Sequence, residues 1–136
     1  MPKRILVVGA AGFIGSSLVY SLLNRGYEVA ILTRSSSNLF RIEQVLHKVV
    51  HIVGDLNNVN SYAQAVSDFS PHIWFQCAWT GIKSEERNQF YQFSDNIPAT
   101  IKAYDLAQCI GVKRWVGLGS QAEYGIANCR VNEDYI

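Results

Sequence analysis

Arg4-Ile-Leu-Val-Val-Gly9-Ala-Ala-Gly12-Phe-Ile-Gly15-Ser-Ser-Leu-Val19 sets an apolar strand directly before three glycines spaced G-x-x-G-x-x-G, and an amphipathic stretch follows at once. This junction suits a phosphate. Gly9 permits a sharp turn after the strand, Gly12 leaves out a side chain where backbone meets a diphosphate, and Gly15 lets a helix pack close to the strand. The helix then directs its unpaired N–H groups and positive dipole end at the anion. A purely structural glycine turn is the alternative. The apolar strand before it and the helical period after it favour a dinucleotide site.

Working outward, the hydrophobic period predicts strands over residues 3–8, 28–32, 49–53, 72–77 and 114–118. It predicts helices over 12–24, 39–46 and 59–69 and within 88–110, with Asn57 or Asn58 as a cap for the third. Pro98 requires the last helix to start near Asn96 or to kink there. Gly26 and Gly111 are helix stops. Residues 119–136 read as loop. The alternation β-α-β-α-β-α-β-α-β with crossover-length connections is a Rossmann-type α/β fold, a doubly wound parallel sheet of five strands in the order 3-2-1-4-5.

The 136 residues suffice for one domain. A hydrophobic content of 49% against 17% charged residues suits strands buried on both faces. A net charge of +1 offers no field for nucleic acid or a membrane surface. No apolar run reaches the roughly 18 residues of a membrane span, and the start reads directly into a strand rather than a signal peptide. Cys77, Cys109 and Cys129 are widely spaced and fit no metal pattern, and His47, His51 and His72 are scattered. A cytoplasmic protein with reduced thiols and no metal is expected.

The end of the second strand distinguishes the two nicotinamide dinucleotides. NAD sites place Asp or Glu there for the ribose hydroxyls. Here Thr33-Arg34-Ser35 offers a guanidinium, which can grip a 2′-phosphate bidentately, so NADP(H) is expected, with NAD as the alternative cofactor. Arg34 as a solvated loop charge is the competing reading. Asp55 in Gly54-Asp55-Leu56 can accept from an adenine amino group or cap a helix. Cys77-Ala78-Trp79 follows strand four beside the same crevice, where Trp79 could stack on a flat ligand or cover the core; Trp74 and Trp115 read as core. Lys83, Glu85, Glu86 and Arg87 read as a solvated cluster near enough to touch substrate. Ser120 ends strand five, where a hydroxyl can hydrogen-bond a carbonyl undergoing hydride transfer.

Together these motifs resemble the extended short-chain dehydrogenase/reductase family, in its NAD-dependent epimerase/dehydratase group acting on nucleotide sugars. The resemblance assigns Gly9, Ala11, Gly12, Phe13, Ile14 and Gly15 to the diphosphate and Asp55 and Leu56 to adenine. It assigns Cys77, Ala78 and Trp79 to the nicotinamide ribose, Asn96 to the family's helix asparagine and Ser120 to the catalytic Ser/Thr. The segment Gly119-Ser120-Gln121-Ala122-Glu123-Tyr124-Gly125 is most similar to 4-ketoreductases of 6-deoxysugar pathways, of the CDP-abequose synthase kind. Two departures stand out. Thr33-Arg34 replaces the family's acid, and the family's Tyr-x-x-x-Lys pair is absent from residues 1–136. The resemblance therefore implies the N-terminal, cofactor-binding portion of a longer NADP(H)-dependent reductase or epimerase, with a nucleotide sugar as substrate. A non-catalytic dinucleotide-binding module or redox sensor is the alternative. Strand five as an unpaired edge offers a route to a homo-oligomer.

Overall fold

A computed structural model describes residues 2–135. Its centre is β1 (Arg4–Val8), whose residues Ile5 to Val8 are all buried. Apolar side chains at consecutive positions need cover on both faces, which is the condition that parallel strands meet. β1 pairs in parallel with β2 (Glu28–Thr33) on one side and β4 (Ile73–Gln76) on the other; β3 (Val50–Val53) and β5 (Arg114–Gly117) form the edges. The five-stranded order is β3-β2-β1-β4-β5, as the sequence pattern predicts.

Alternate residues supply two cores. Ile5, Val7, Val29 and Ile31 pack under Val19 and Leu22 of α1 (Phe13–Asn24), together with Ile42 and Val45. Leu6, Val8, Ala30, Leu32 and Trp74 face Val66 of α2 (Ala63–Phe69) and Ala103 and Ala107 of α4 (Asn96–Cys109). The alanines at every fourth residue of α4 let it approach the sheet closely. The Trp115 ring lies 5.2 Å from that of buried Trp74, nearly parallel to it.

Three local expectations need correction. The predicted helix over 39–46 is a 3₁₀ segment, Glu43–Lys48, although Leu39, Ile42, Val45 and Leu46 all pack against the core; so short a segment gains little from α-helical propagation. The helix predicted from 59 begins as a 3₁₀ turn, Val59–Ser61, and becomes α-helical only at Ala63. Neither Asn57 nor Asn58 provides a side-chain cap there; instead the Ser61 hydroxyl donates to the Asn58 carbonyl oxygen at 2.6 Å. The last helix does start at Asn96, as α4, preceded by a short α3 (Tyr91–Ser94). Pro98 thus falls in the first turn of α4, where its missing N–H has no intrahelical partner to lose. Two further 3₁₀ turns, Ser84–Glu86 and Gln121–Tyr124, lie within stretches read as loop. Among the described residues no helix is long and apolar enough to cross a membrane.

Candidate functional site

The order β3-β2-β1-β4-β5 reverses direction between β1 and β4, and a crevice opens outside their carboxyl ends. Gly9 turns there with φ of +83°, and a Cβ on it would stand 2.8 Å from the Ala78 amide nitrogen. Only glycine lets the ends of β1 and β4 meet this closely. A Cβ on Gly15 would collide with the Gly9 carbonyl oxygen, so the first turn of α1 is drawn down onto the strand end. Gly12 precedes α1 in an extended conformation, and a Cβ there would meet one non-adjacent heavy atom, the Gly9 carbonyl oxygen at 3.3 Å. The first-turn amides of Phe13, Ile14 and Gly15 have no intrahelical acceptor, while the Phe13 and Ile14 side chains are exposed.

A groove of about 450 Å³ extends from this cradle. Gly9, Ala11 and Gly12 form its floor, and Thr33, Arg34 and Asp55 with Leu56 form one end. Cys77, Ala78 and Trp79 form the other side. Ser37, rather than Ser35, completes the wall beside Arg34. The Asp55 carboxylate accepts from the Asn57 amide at 3.0 Å, closing a turn, and still borders the groove. Buried Thr33 shares a 2.8 Å hydrogen bond with His51 Nε2. Burial pushes the Cys77 thiol above its ordinary pKa, so it sits in the wall as a neutral group. A concave floor of glycine and alanine, a helix N-terminus and the Arg34 guanidinium at one end fit a dinucleotide with its diphosphate at Gly9–Gly12.

The loop after β4 also lines this groove, with Thr80, Gly81, Ile82, Lys83 and Glu86. The sequence reading treated that segment as a solvated charge cluster and missed what holds it. Gln92 of α3 is the hub: its Oε1 accepts from Trp79 Nε1 at 2.7 Å, and its Nε2 donates to the Gly81 and Glu86 carbonyl oxygens. Glu86 accepts from the Tyr91 hydroxyl and the Lys83 amide; these two hydrogen bonds, in that order, hold its carboxyl below the usual range. Asn96, 1% exposed, exchanges two hydrogen bonds with the Thr80 backbone at 2.8 and 2.9 Å. Its side chain reaches neither cavity; it positions the loop that does. Asn96→Ala should therefore lower unfolding stability by about 2–3 kcal/mol, from lost and orphaned hydrogen bonds, and should speed exchange of the Thr80 amide. Unchanged exchange at Thr80 in a folded variant would contradict this role.

Trp79, with Cys77, Ala78, Gly81 and Ile82, borders both the groove and a second cavity of about 700 Å³. Ser120, Glu123, Leu118, Arg87 and Asn88 line that cavity. Glu123 caps the 3₁₀ turn: the Ser120 amide donates to Glu123 Oε1 at 2.8 Å, which is the glutamate half of a capping box, and the Glu123 amide donates to the Ser120 backbone carbonyl oxygen at 3.0 Å, closing the turn. Ser120 is thereby fixed at the carboxyl end of β5, one strand from Trp79. Glu123 was overlooked as a site residue, although the S-x-x-E spacing announces its capping role.

This chain is similar in sequence and fold to known proteins. A 3-beta-hydroxysteroid dehydrogenase of Mycolicibacterium neoaurum is 32% identical over 123 residues, covering 88% of this chain and 32% of its own length. A UDP-glucose 4-epimerase of Klebsiella pneumoniae is 27% identical over 128 residues, covering 90% of this chain and 92% of its own. In fold, the chain superposes with a TM-score of 0.82 on a UDP-glucose-4-epimerase of Stenotrophomonas maltophila with bound NAD and formylated UDP-arabinopyranose, at 23% identity over 98% of this chain and 42% of that one. The chain thus spans about a third of the first relative and under half of this structural neighbour. The model of the NAD dependent epimerase/dehydratase family matches residues 5–135, and the chain belongs to that family.

Proposed function

We propose that this chain is the NADP(H)-binding, N-terminal portion of an enzyme that moves a hydride to or from C4 of a nucleotide-linked 4-keto-6-deoxy sugar. The observation that carries the cofactor choice is Arg34 lining the groove end, with Thr33 where the acid of an NAD site belongs. A carboxylate there would repel a 2′-phosphate; a guanidinium grips it. When bound, the dinucleotide supplies or accepts the hydride. The chain's own residues do the rest. Gly9, Gly12 and the first-turn amides of α1 seat the diphosphate, Asp55 and Leu56 border the adenine, and Trp79 closes the nicotinamide end. Ser120 donates a hydrogen bond to the sugar oxygen from the neighbouring cavity. Support for the substrate class comes from relatives acting on UDP-sugars and from the Gly119–Gly125 segment.

The test is titration with NADPH and NADH. A charge-assisted grip is worth about 1.5–3 kcal/mol, so NADPH should bind roughly ten- to hundredfold more tightly, and Arg34→Ala should remove most of that preference. Equal affinities in the unaltered chain, or an undiminished preference in Arg34→Ala, would rule out the NADP reading.

A further inference from the structure

The groove wall at Thr33 has a partner outside the groove. His51 lies on edge strand β3, paired in register with Ile31, and therefore shares the sheet face that α1 covers. Its Nε2 is 2.8 Å from the Thr33 hydroxyl, and that threonine, only 5% exposed, lines the groove beside Arg34. His51 itself is exposed.

We propose that His51 is a specificity-determining positioning residue, which through Thr33 makes the preference between NADP and NAD depend on pH. The inference rests on the reading that the groove holds a dinucleotide with its 2′ position at Thr33-Arg34. A hydroxyl carries one hydrogen. When Nε2 is bare, Thr33 gives that hydrogen to the ring and shows the groove only lone pairs, which suit a ribose 2′-hydroxyl. When Nε2 carries hydrogen, the ring donates and Thr33 turns its own hydrogen to the groove, which suits a phosphate oxygen. A neutral ring allows both arrangements; an imidazolium allows only the second and adds a positive charge. Imidazole is the side chain that ordinarily changes charge between about pH 5 and 8. The other charged or titratable groups on the elements around it are Glu28 on β2 and Arg34 after it, Tyr20 on α1, Arg41, Glu43, His47 and Lys48 before β3, and Asp55 after it. α1 carries no charged side chain.

The experiment measures dissociation constants of NADPH and NADH at about pH 8 and about pH 6 for the unaltered chain, His51→Gln and Thr33→Val. The 2′-phosphate takes up its own second proton near pH 6. That weakens NADPH binding in every protein, so the readout is the difference between proteins. On acidification the preference for NADPH in the unaltered chain should rise by about two- to fivefold relative to His51→Gln. Thr33→Val, which severs the link while keeping the imidazole, should follow His51→Gln. Parallel pH courses in the unaltered chain and His51→Gln, with the NADPH preference intact, would overturn the role of His51 and leave that of Arg34 standing. No preference for NADPH at either pH would overturn both.

Discussion

Gly12→Val should bind NADPH at least about a hundredfold more weakly while melting close to the unaltered chain, whereas Gly15→Val should unfold more easily. The two glycines are three residues apart and face different neighbours. A Cβ on Gly12 meets only the Gly9 carbonyl oxygen at 3.3 Å beyond its chain neighbours, and the backbone there is extended, with φ of −75° and ψ of 173°, which any residue adopts. The fold must give only a few tenths of an ångström around the added Cβ, whereas a diphosphate seated on the floor would lose its place to the side chain. Losing the close approach forfeits several charge-assisted hydrogen bonds, each worth about 1.5–3 kcal/mol, and two suffice for a hundredfold effect. On Gly15 the Cβ runs into the Gly9 carbonyl oxygen and stands 2.9 Å from the Gly9 carbonyl carbon, both unyielding backbone. α1 must lift from the sheet, at a cost of about 1–3 kcal/mol or more. Calorimetry of both variants, paired with NADPH titration, separates the roles. Undiminished binding by a folded Gly12→Val chain would refute the assignment of this loop to the diphosphate.

The parts of the molecule legible in the sequence are those governed by short-range rules. An apolar run into Gly9-x-x-Gly12-x-x-Gly15 fixes a strand, a turn and a helix within sixteen residues, and the alternation of elements with right-handed crossovers leaves the order 3-2-1-4-5 as the natural arrangement. That order brings the ends of β1, β2, β3 and β4 together, so Gly9, Arg34, Asp55 and Cys77 border one groove although they span 69 positions. What escaped was the work of single polar side chains across tertiary contacts. Gln92 carries no motif, and its bonds to Trp79, Gly81 and Glu86 exist only because α3 folds back over the loop after β4. Asn96, legible only as the family's helix asparagine, also clamps Thr80, since a buried amide can satisfy a backbone N–H and C=O together. Residues 39–46 read as a short helix, but a helix that short is marginal on its own, and the segment forms only the 3₁₀ stretch Glu43–Lys48.

The 136-residue chain should bind NADPH yet oxidise it no faster with a nucleotide-linked 4-keto sugar than without one. Reduction of a ketone needs a hydride and a proton, and the proton is the difficulty. Ser120 can polarise the oxygen but is far too weak an acid to give up its hydrogen. A tyrosine that serves as donor near neutral pH must have its pKa lowered, as an adjacent lysine would do. None of the seven tyrosines is followed four positions later by lysine. The two tyrosines with resolved shifts move the wrong way. Burial, reinforced by the charge of Asp55, pushes Tyr62 up to about 12, and it sits in the core away from both cavities. Desolvation and the hydrogen bond to Glu86 raise Tyr91, which is bound into the loop clamp. Each phenol therefore holds its proton more firmly than free tyrosine. Without a positioned acid the rate falls by about 10²- to 10⁴-fold. The measurement follows NADPH absorbance in the presence of a panel of 4-keto-6-deoxy nucleotide sugars, alongside a binding titration that shows the cofactor site filled. Saturable, sugar-dependent oxidation by this chain would place the proton donor within residues 1–136. Tyr124 would then be the first to replace with phenylalanine, since it follows Ser120 by four residues and directly follows Glu123, which lines the same cavity.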